Sequence, residues 1–451
     1  VVADGGCSGV GGTDSRPPGQ SDEPDAIDAL IVAMDAGPLT PLAAHTRAEG
    51  VLGRTVWSFV GQALSSSSNF LLTVVVLSRG SRSEFATLSV VLTIYTFVLQ
   101  LMRAGVGLPV TLLYSTDTGR SREAEVRSAA GVALASSAVV ALVLMVGGAL
   151  SSRGGAQYLV LGAALPLLLL QDTARYACFA WGRPRTAAEA DGLWVVLQVV
   201  TSAAVLVLAD GSATTFLGLW AGAGAVSGCF LLRRTRLRPR FGTAPGWVQA
   251  HRGLWGRLVT DYLVSSGSHY AVYFALAVVA GSDELGRLKA AQTFLGPLIV
   301  LLLGGAVFGV PESVRAGGDP GRLWRLTLRL AGALIGAAVG CGAVVYLVLP
   351  VVGPATFPAT WASARPAIPL LTVFASAIGA STGATSGLRA LDQNSWLLRV
   401  RLATGPVLVL ASIPASAAFG VNGALAVLSA VEWGVALAAW GRLRNLVCGL
   451  R

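Results

Sequence analysis

Twelve predominantly apolar runs occupy most of this chain, at roughly 55–78, 85–108, 128–150, 157–181, 189–209, 213–232, 257–280, 285–310, 327–350, 366–388, 400–419 and 421–441. Each is about the 20 residues that a helix needs to cross the hydrocarbon of a bilayer. In lipid every backbone N–H and C=O must find a partner within the chain, so runs of this kind are read as helices and the whole as an all-α polytopic membrane protein. Composition agrees: with 54% hydrophobic residues, 12% charged and a mean hydropathy of +0.67, a soluble domain would have too little polar surface to cover its core.

Basic residues orient the spans, because positive charge near span ends is retained on the cytoplasmic side. With both termini inside, the inner segments hold 25 of the 33 basic residues and the outer turns hold 6, while Arg103 and Arg175 lie within spans near their inner ends. The net charge of +10 is therefore read as topology, with an affinity for anionic headgroups, and not as nucleic-acid binding. Residues 1–50 carry 8 acidic residues against Arg16 and Arg47 and no long apolar run, and are expected to form a disordered acidic cytoplasmic tail. The chain opens with Val1 and not Met, which leaves the true start of that tail open. Residues 51–232 and 257–451 then form two six-helix lobes, joined by a basic cytoplasmic linker at 233–256. In that linker Arg233 to Arg240 lead into Trp247, His251 and Trp255, either a simple topogenic segment or an amphipathic helix lying on the inner leaflet.

The two lobes look related. Ser65-Ser66-Ser67-Ser68-Asn69-Phe70 in the first span is echoed 200 residues later by Ser265-Ser266-Gly267-Ser268-His269-Tyr270 in the seventh, and the same offset pairs Glu84 with Glu284, Leu88 with Leu288 and Arg122 with Arg322. Helical spacing puts Gln62, Ser66, Asn69 and Thr73 on one face of the first span, and Asp261, Ser265, His269 and Tyr273 on one face of the seventh. Polar faces within a span belong to a bundle interior or a water-filled cavity. The seventh-span face is either a substrate or proton path or a satisfied seam between helices. Asp172 and Arg175, three apart, are expected to pair. Arg103 has no acid within a turn, and either snorkels to the interface or lends positive potential to a cavity. Glu189 and Asp191 open the fifth span, and Glu432 in the twelfth is the most isolated carboxylate.

Catalytic patterns are missing: the five cysteines are scattered, His45, His251 and His269 are dispersed, and the outer turns are too short to present a set of carboxylates. No enzyme, cofactor or metal site is read from this chain.

Trp57-Ser58-Phe59 through Asn69-Phe70, Arg79 and Ser83-Glu84-Phe85 resemble the opening of polysaccharide-biosynthesis flippases (Wzx-like) of the multidrug/oligosaccharidyl-lipid/polysaccharide exporter superfamily. Leu170-Gln171-Asp172, Arg175-Tyr176, Gly182-Arg183-Pro184, Asp191 and Trp194 resemble the fourth and fifth spans of the same proteins, so that the resemblance covers about residues 51–445. It implies a two-lobed, twelve-span transporter of the plasma membrane that turns a polyprenyl-diphosphate-linked oligosaccharide from the inner to the outer leaflet by alternating access. Polysaccharide-assembly enzymes are its implied partners. In this reading Gln62, Ser66, Asn69, Asp261, Ser265, His269 and Tyr273 line the route, Arg103 receives the diphosphate, and Arg79 and Lys289 take it over near the outer side. The first span lacks the acidic residue that drug-exporting relatives use for cation coupling, and twelve runs fall short of the fourteen usual in peptidoglycan-precursor flippases. The rival is a twelve-span exporter of small solutes or drugs, but Asp117, Gly119, Arg120 and Arg122 do not keep the spacing of that class's marker loop.

Overall fold

The computed structural model describes residues 49–114, 120–151, 154–208, 211–296, 319–358 and 360–449, with isolated positions between 298 and 316. All but the last two residues of the tail expected over 1–50, positions 115–119 of the loop after the second span, and much of the run at 285–310 lie outside them.

Among the described residues every regular element is helical. The first half comprises α1 (Glu49–Arg79), α2 (Arg82–Met102) continuing through a π-helical turn (Arg103–Gly107) into α3 (Leu108–Tyr114), α4 (Arg120–Leu150), α5 (Gly155–Ala180), α6 (Pro184–Leu208) and α7 (Ala213–Thr235). A short α8 (Ala244–Ala250) leads to α9 (Arg252–Tyr262), a second π-helical turn (Leu263–Gly267) and α10 (Ser268–Val279). There follow α11 (Ser282–Phe294), α12 (Pro320–Thr356), α13 (Trp361–Ala364), α14 (Ile368–Ala390) and α15 (Asn394–Gly449).

Ten of these helical stretches are long and apolar enough to cross a membrane. One of them is two spans: α15 breaks at Gly420 (φ 57°, ψ −136°), and Gly423 packs against the Ala415 carbonyl, a proximity only a reversal gives. The sequence expectation had placed its eleventh and twelfth runs on either side of this glycine. α11 opens the eighth run, whose remainder lies largely outside the described residues, and the described spans follow the order of the other apolar runs.

Within the first half α1 packs on α6, α4 on α5, and α7 on α5 and α6; within the second, α14 packs on α12 and α15, and α10 on α15. The halves meet along α2 and α11, where Gly286 lies against Ala86 and fully buried Leu88 and Leu288 belong to one core. They meet again at Phe97, whose ring packs among Tyr262, Tyr270 and Phe274 while its carbonyl accepts the Tyr262 hydroxyl at 3.1 Å.

Two carboxylates related by the offset of 200 do the same work. Ser81 and Glu84 form a capping box at the start of α2, and the second Glu84 oxygen takes the Ala213 N–H at the start of α7 (3.4 Å). Glu284, in the first turn of α11, takes the Val421 N–H just past the break in α15 (2.9 Å). A helix start leaves free N–H groups, and a carboxylate from a neighbouring span satisfies one of them in each half.

The basic segment after α7 differs from the leaflet-bound alternative. It docks on the first half: Arg240 N–H donates to the Arg127 carbonyl (2.9 Å), the Thr243 and Ser128 hydroxyls lie 2.6 Å apart, and buried Trp247 donates its indole N–H to the Tyr114 hydroxyl (3.1 Å). A tryptophan that finds both an apolar slot and a partner for its N–H is better placed there than at a headgroup interface.

Candidate functional site

The second half encloses a polar pocket of about 440 Å³. One wall is the second π turn, which supplies Ser265 and Ser266, and the helix α10 after it, which supplies His269, Tyr270 and Tyr273. The facing wall is α14, where Ser381, Thr385 and Arg389 stand at successive i+4 positions with Thr382 and Ser386 beside them. Arg401 and Glu432, from the two limbs of α15, close it.

Glu432, isolated in the sequence, is not isolated in the fold. Its Oε1 lies 2.5 Å from Arg401 Nη1 and 3.1 Å from His269 Nε2, with Arg401 Nη2 3.4 Å from Oε2. His269 Nδ1 lies 3.2 Å from the Ser265 carbonyl, so an oxygen faces each ring nitrogen. Arg389 is exposed and has no carboxylate partner among the described residues. Hydroxyl donors and acceptors with two guanidiniums against one carboxylate make a surface for a polar, anionic group.

The seventh-span face is redrawn by its backbone. Ser265, His269 and Tyr273 reach the pocket together, whereas Asp261 is exposed and outside it. The π turn at Leu263–Gly267, which carries Ser265 itself, interrupts the regular helical repeat between Asp261 and the pair His269 and Tyr273, so regular spacing does not hold from the acid to those two. Lys289, on α11, holds its ammonium 5.0 Å from the Tyr273 ring, whose hydroxyl accepts from Gln292 (3.1 Å); no carboxylate pairs with it among the described residues. Arg79 ends α1 exposed.

On α1, Gln62 and Ser66 are exposed and Asn69 is half-buried, its Oδ1 buried without a hydrogen-bond partner. The buried serine is Ser68, which accepts the Trp220 indole N–H on its hydroxyl (3.1 Å) and the Gln198 amide on its carbonyl (3.0 Å).

Arg103 does not stand alone. Its fork grips Asp172 through Nε (2.9 Å) and Nη2 (2.7 Å), and Nη1 reaches Gln100 (3.0 Å). The expected Asp172–Arg175 pair is present at 2.9 Å, and Arg175 Nε also lies 2.9 Å from Asp191 Oδ2, a close charge contact off the line of the N–H. Gln171 donates to Asp191 Oδ1 (3.2 Å). The result is a chain of two guanidiniums and two carboxylates, buried among α2, α5 and α6. A diphosphate would have to displace Asp172 to use Arg103's fork.

Sequence reasoning missed Arg401, Arg389 and the hydroxyl face of α14. The last of these was readable, since Ser381, Thr385 and Arg389 keep helical spacing inside an apolar run. Arg401 was counted only as an inner-loop charge.

No protein-family model and no curated protein matches the chain. Solved structures do match: an inward-facing multidrug resistance MATE family transporter of the MOP superfamily has a TM-score of 0.66 at 13% identity, over 87% of this chain and 98% of that one. The lipid II flippase MurJ in an inward closed conformation gives 0.66 at 9% identity, over 86% and 87%. An outward-facing MATE transporter gives 0.56 at 13% identity, over 89% and 96%. At such identities the likeness carries the fold: this chain has the all-helical architecture that these MOP-superfamily membrane proteins share.

Proposed function

We propose that the protein is a flippase of the plasma membrane that moves a lipid-linked oligosaccharide from the inner to the outer leaflet by alternating access. The observation that carries this reading is the pocket of the second half: hydroxyl-lined and bearing Arg389 and Arg401 against the single carboxylate Glu432, inside a fold built to span lipid. A substrate whose tail is at home in the bilayer needs a protected route only for its head. Hydroxyl groups exchange hydrogen bonds with sugar hydroxyls at little net cost, about 1 kcal/mol each over water, so contacts of this kind both admit and release. The diphosphate is placed on Arg389, because a guanidinium takes phosphate oxygens in a fixed fork, with Arg401 beside it as a partner shared with Glu432. Ser265, His269 and Tyr273 line its approach, with Lys289 behind Tyr273 as the next cation towards the outer side. Gln62, Ser66, Asn69 and Arg79 belong to the facing half of the route. Arg103, held by Asp172, enters as an exchangeable partner and not as a free receptor. Both termini are placed inside, on the asymmetry of basic residues, and the membrane enzymes that assemble and polymerise such glycans are the partners this function requires.

A second reading, export of small solutes or drugs, is favoured by the equal likeness to a multidrug transporter. Cells whose surface polymer depends on this protein separate the two. Arg389→Gln is expected to abolish polymer export at normal protein level and Arg389→Lys to retain part of it; unchanged export with Arg389→Gln rejects the assignment.

A further inference from the structure

The helix that walls the polar pocket has a second working face. Leu263 and Ala271 turn the other way, into an apolar groove of about 380 Å³ completed by Leu402 and Val409 of α15 and by Phe97 of α2. Arg401, paired with Glu432 on the pocket side, lines this groove as well as the pocket. Ser268 faces the groove while its neighbour His269 faces the pocket, and Gly405 brings the first limb of α15 within van der Waals reach of Ser268 between the two.

We propose that the groove holds the hydrocarbon tail of the same anionic lipid whose head occupies the pocket, with Arg401 at the boundary between head and tail. The inference rests on the flippase reading and gives its substrate a second point of attachment. Charge complementarity selects the occupant: a wholly apolar molecule has no use for the guanidinium, and a free sugar phosphate has none for the groove. The bilayer adds a constraint. Lipid chains are as apolar as leucine, so a tail gains nothing from the hydrophobic effect by leaving them for a groove in the same membrane. A tail therefore collects there only when its head is held next door. Phe97 comes from the first half and the other lining residues from the second, so movement of one half against the other reshapes the tail site.

The test uses the full chain in nanodiscs with three photoreactive probes carrying a diazirine on the hydrocarbon: farnesyl diphosphate, farnesol and phosphatidylglycerol. Cross-linked peptides are read by mass spectrometry. Farnesyl diphosphate is expected to label residues 263–271 and 402–409 about tenfold more than farnesol does, the value of one good charge-assisted contact. Arg401→Gln should bring labelling down to the farnesol level, Arg401→Lys should keep most of it, and Val409→Trp, which fills the groove, should remove it. Labelling that spreads over other lipid-facing helices overturns the proposal. So does groove labelling by farnesyl diphosphate that survives Arg401→Gln or Val409→Trp in folded protein, or labelling by phosphatidylglycerol that is equally strong. If Arg401→Gln does not fold, the Lys and Trp variants decide alone. Absence of groove labelling in a protein that still flips lipid rejects only the groove; groove labelling without flipping rejects only the transport reading.

Discussion

Replacing Asp172 with Asn removes the one carboxylate that both Arg103 and Arg175 grip. The side chains concerned are 18% (Arg103), 7% (Asp172) and 2% (Arg175) exposed, so water cannot take over the lost contacts. Stripping one member from such a buried ion network costs about 3–5 kcal/mol, because the charges left behind remain desolvated. Arg103→Gln is milder: Asp172 keeps Arg175, and the loss is one forked contact, about 1.5–3 kcal/mol. The double variant restores neutrality, with Arg175 left to Asp191. Its cost should fall below the sum of the single costs by about 1–3 kcal/mol, the coupling expected within one network. Reversible unfolding in mixed micelles, followed by tryptophan fluorescence, measures all three. An Asp172→Asn variant within about 1 kcal/mol of wild type, or strictly additive singles, would show that the network is not the buried neutral chain described above.

Ser68→Ala should cost about 1–3 kcal/mol, by leaving the Trp220 indole N–H without an acceptor in a dry position, whereas Ser66→Ala at an exposed site should stay within about 0.5 kcal/mol; the same unfolding assay compares them. Gly420→Ala places a methyl 2.6 Å from Glu284 Oε2 at a residue with φ 57°, and it should lower the melting temperature of the purified protein more than Gly434→Ala, where a β-carbon meets nothing within 4 Å. Cysteines placed at Arg236 and Thr356, in a background without the native cysteines, should react with an impermeant thiol reagent from the inside and the outside respectively; the opposite labelling of either rejects the assigned topology.

The apolar runs made the spans legible, down to the turn at Gly420, because hydrophobic length is a local property of the sequence. Of the pairs related by an offset of 200, Glu84 and Glu284 make matching contacts: each carboxylate accepts a backbone N–H at the start of another helix. Polar detail was harder. Four consecutive serines at 65–68 present every side of α1, so periodicity had no means of choosing Ser68 as the buried one. Partners from different spans were out of reach: Arg103 meets Asp172 across 69 residues, and Glu432 meets Arg401 only because α15 doubles back. A π turn of five residues between Asp261 and His269 broke the regular spacing on which the four-residue face was read, and Asp261 lies outside the pocket that Ser265, His269 and Tyr273 line.

The most direct test of the proposed function is flipping in proteoliposomes. A fluorescent diphosphate-linked saccharide on a short polyprenyl chain is placed in both leaflets, and the outer fraction is quenched by a membrane-impermeant reductant or removed by an added glycosidase. Wild-type protein is expected to expose the inner pool at a rate well above that of empty vesicles, and Arg389→Gln and Arg401→Gln to bring the rate back towards the empty-vesicle value. Vesicles in which the inner pool stays protected, while the same protein moves a small cationic dye, would contradict the account and assign the pocket to solute export.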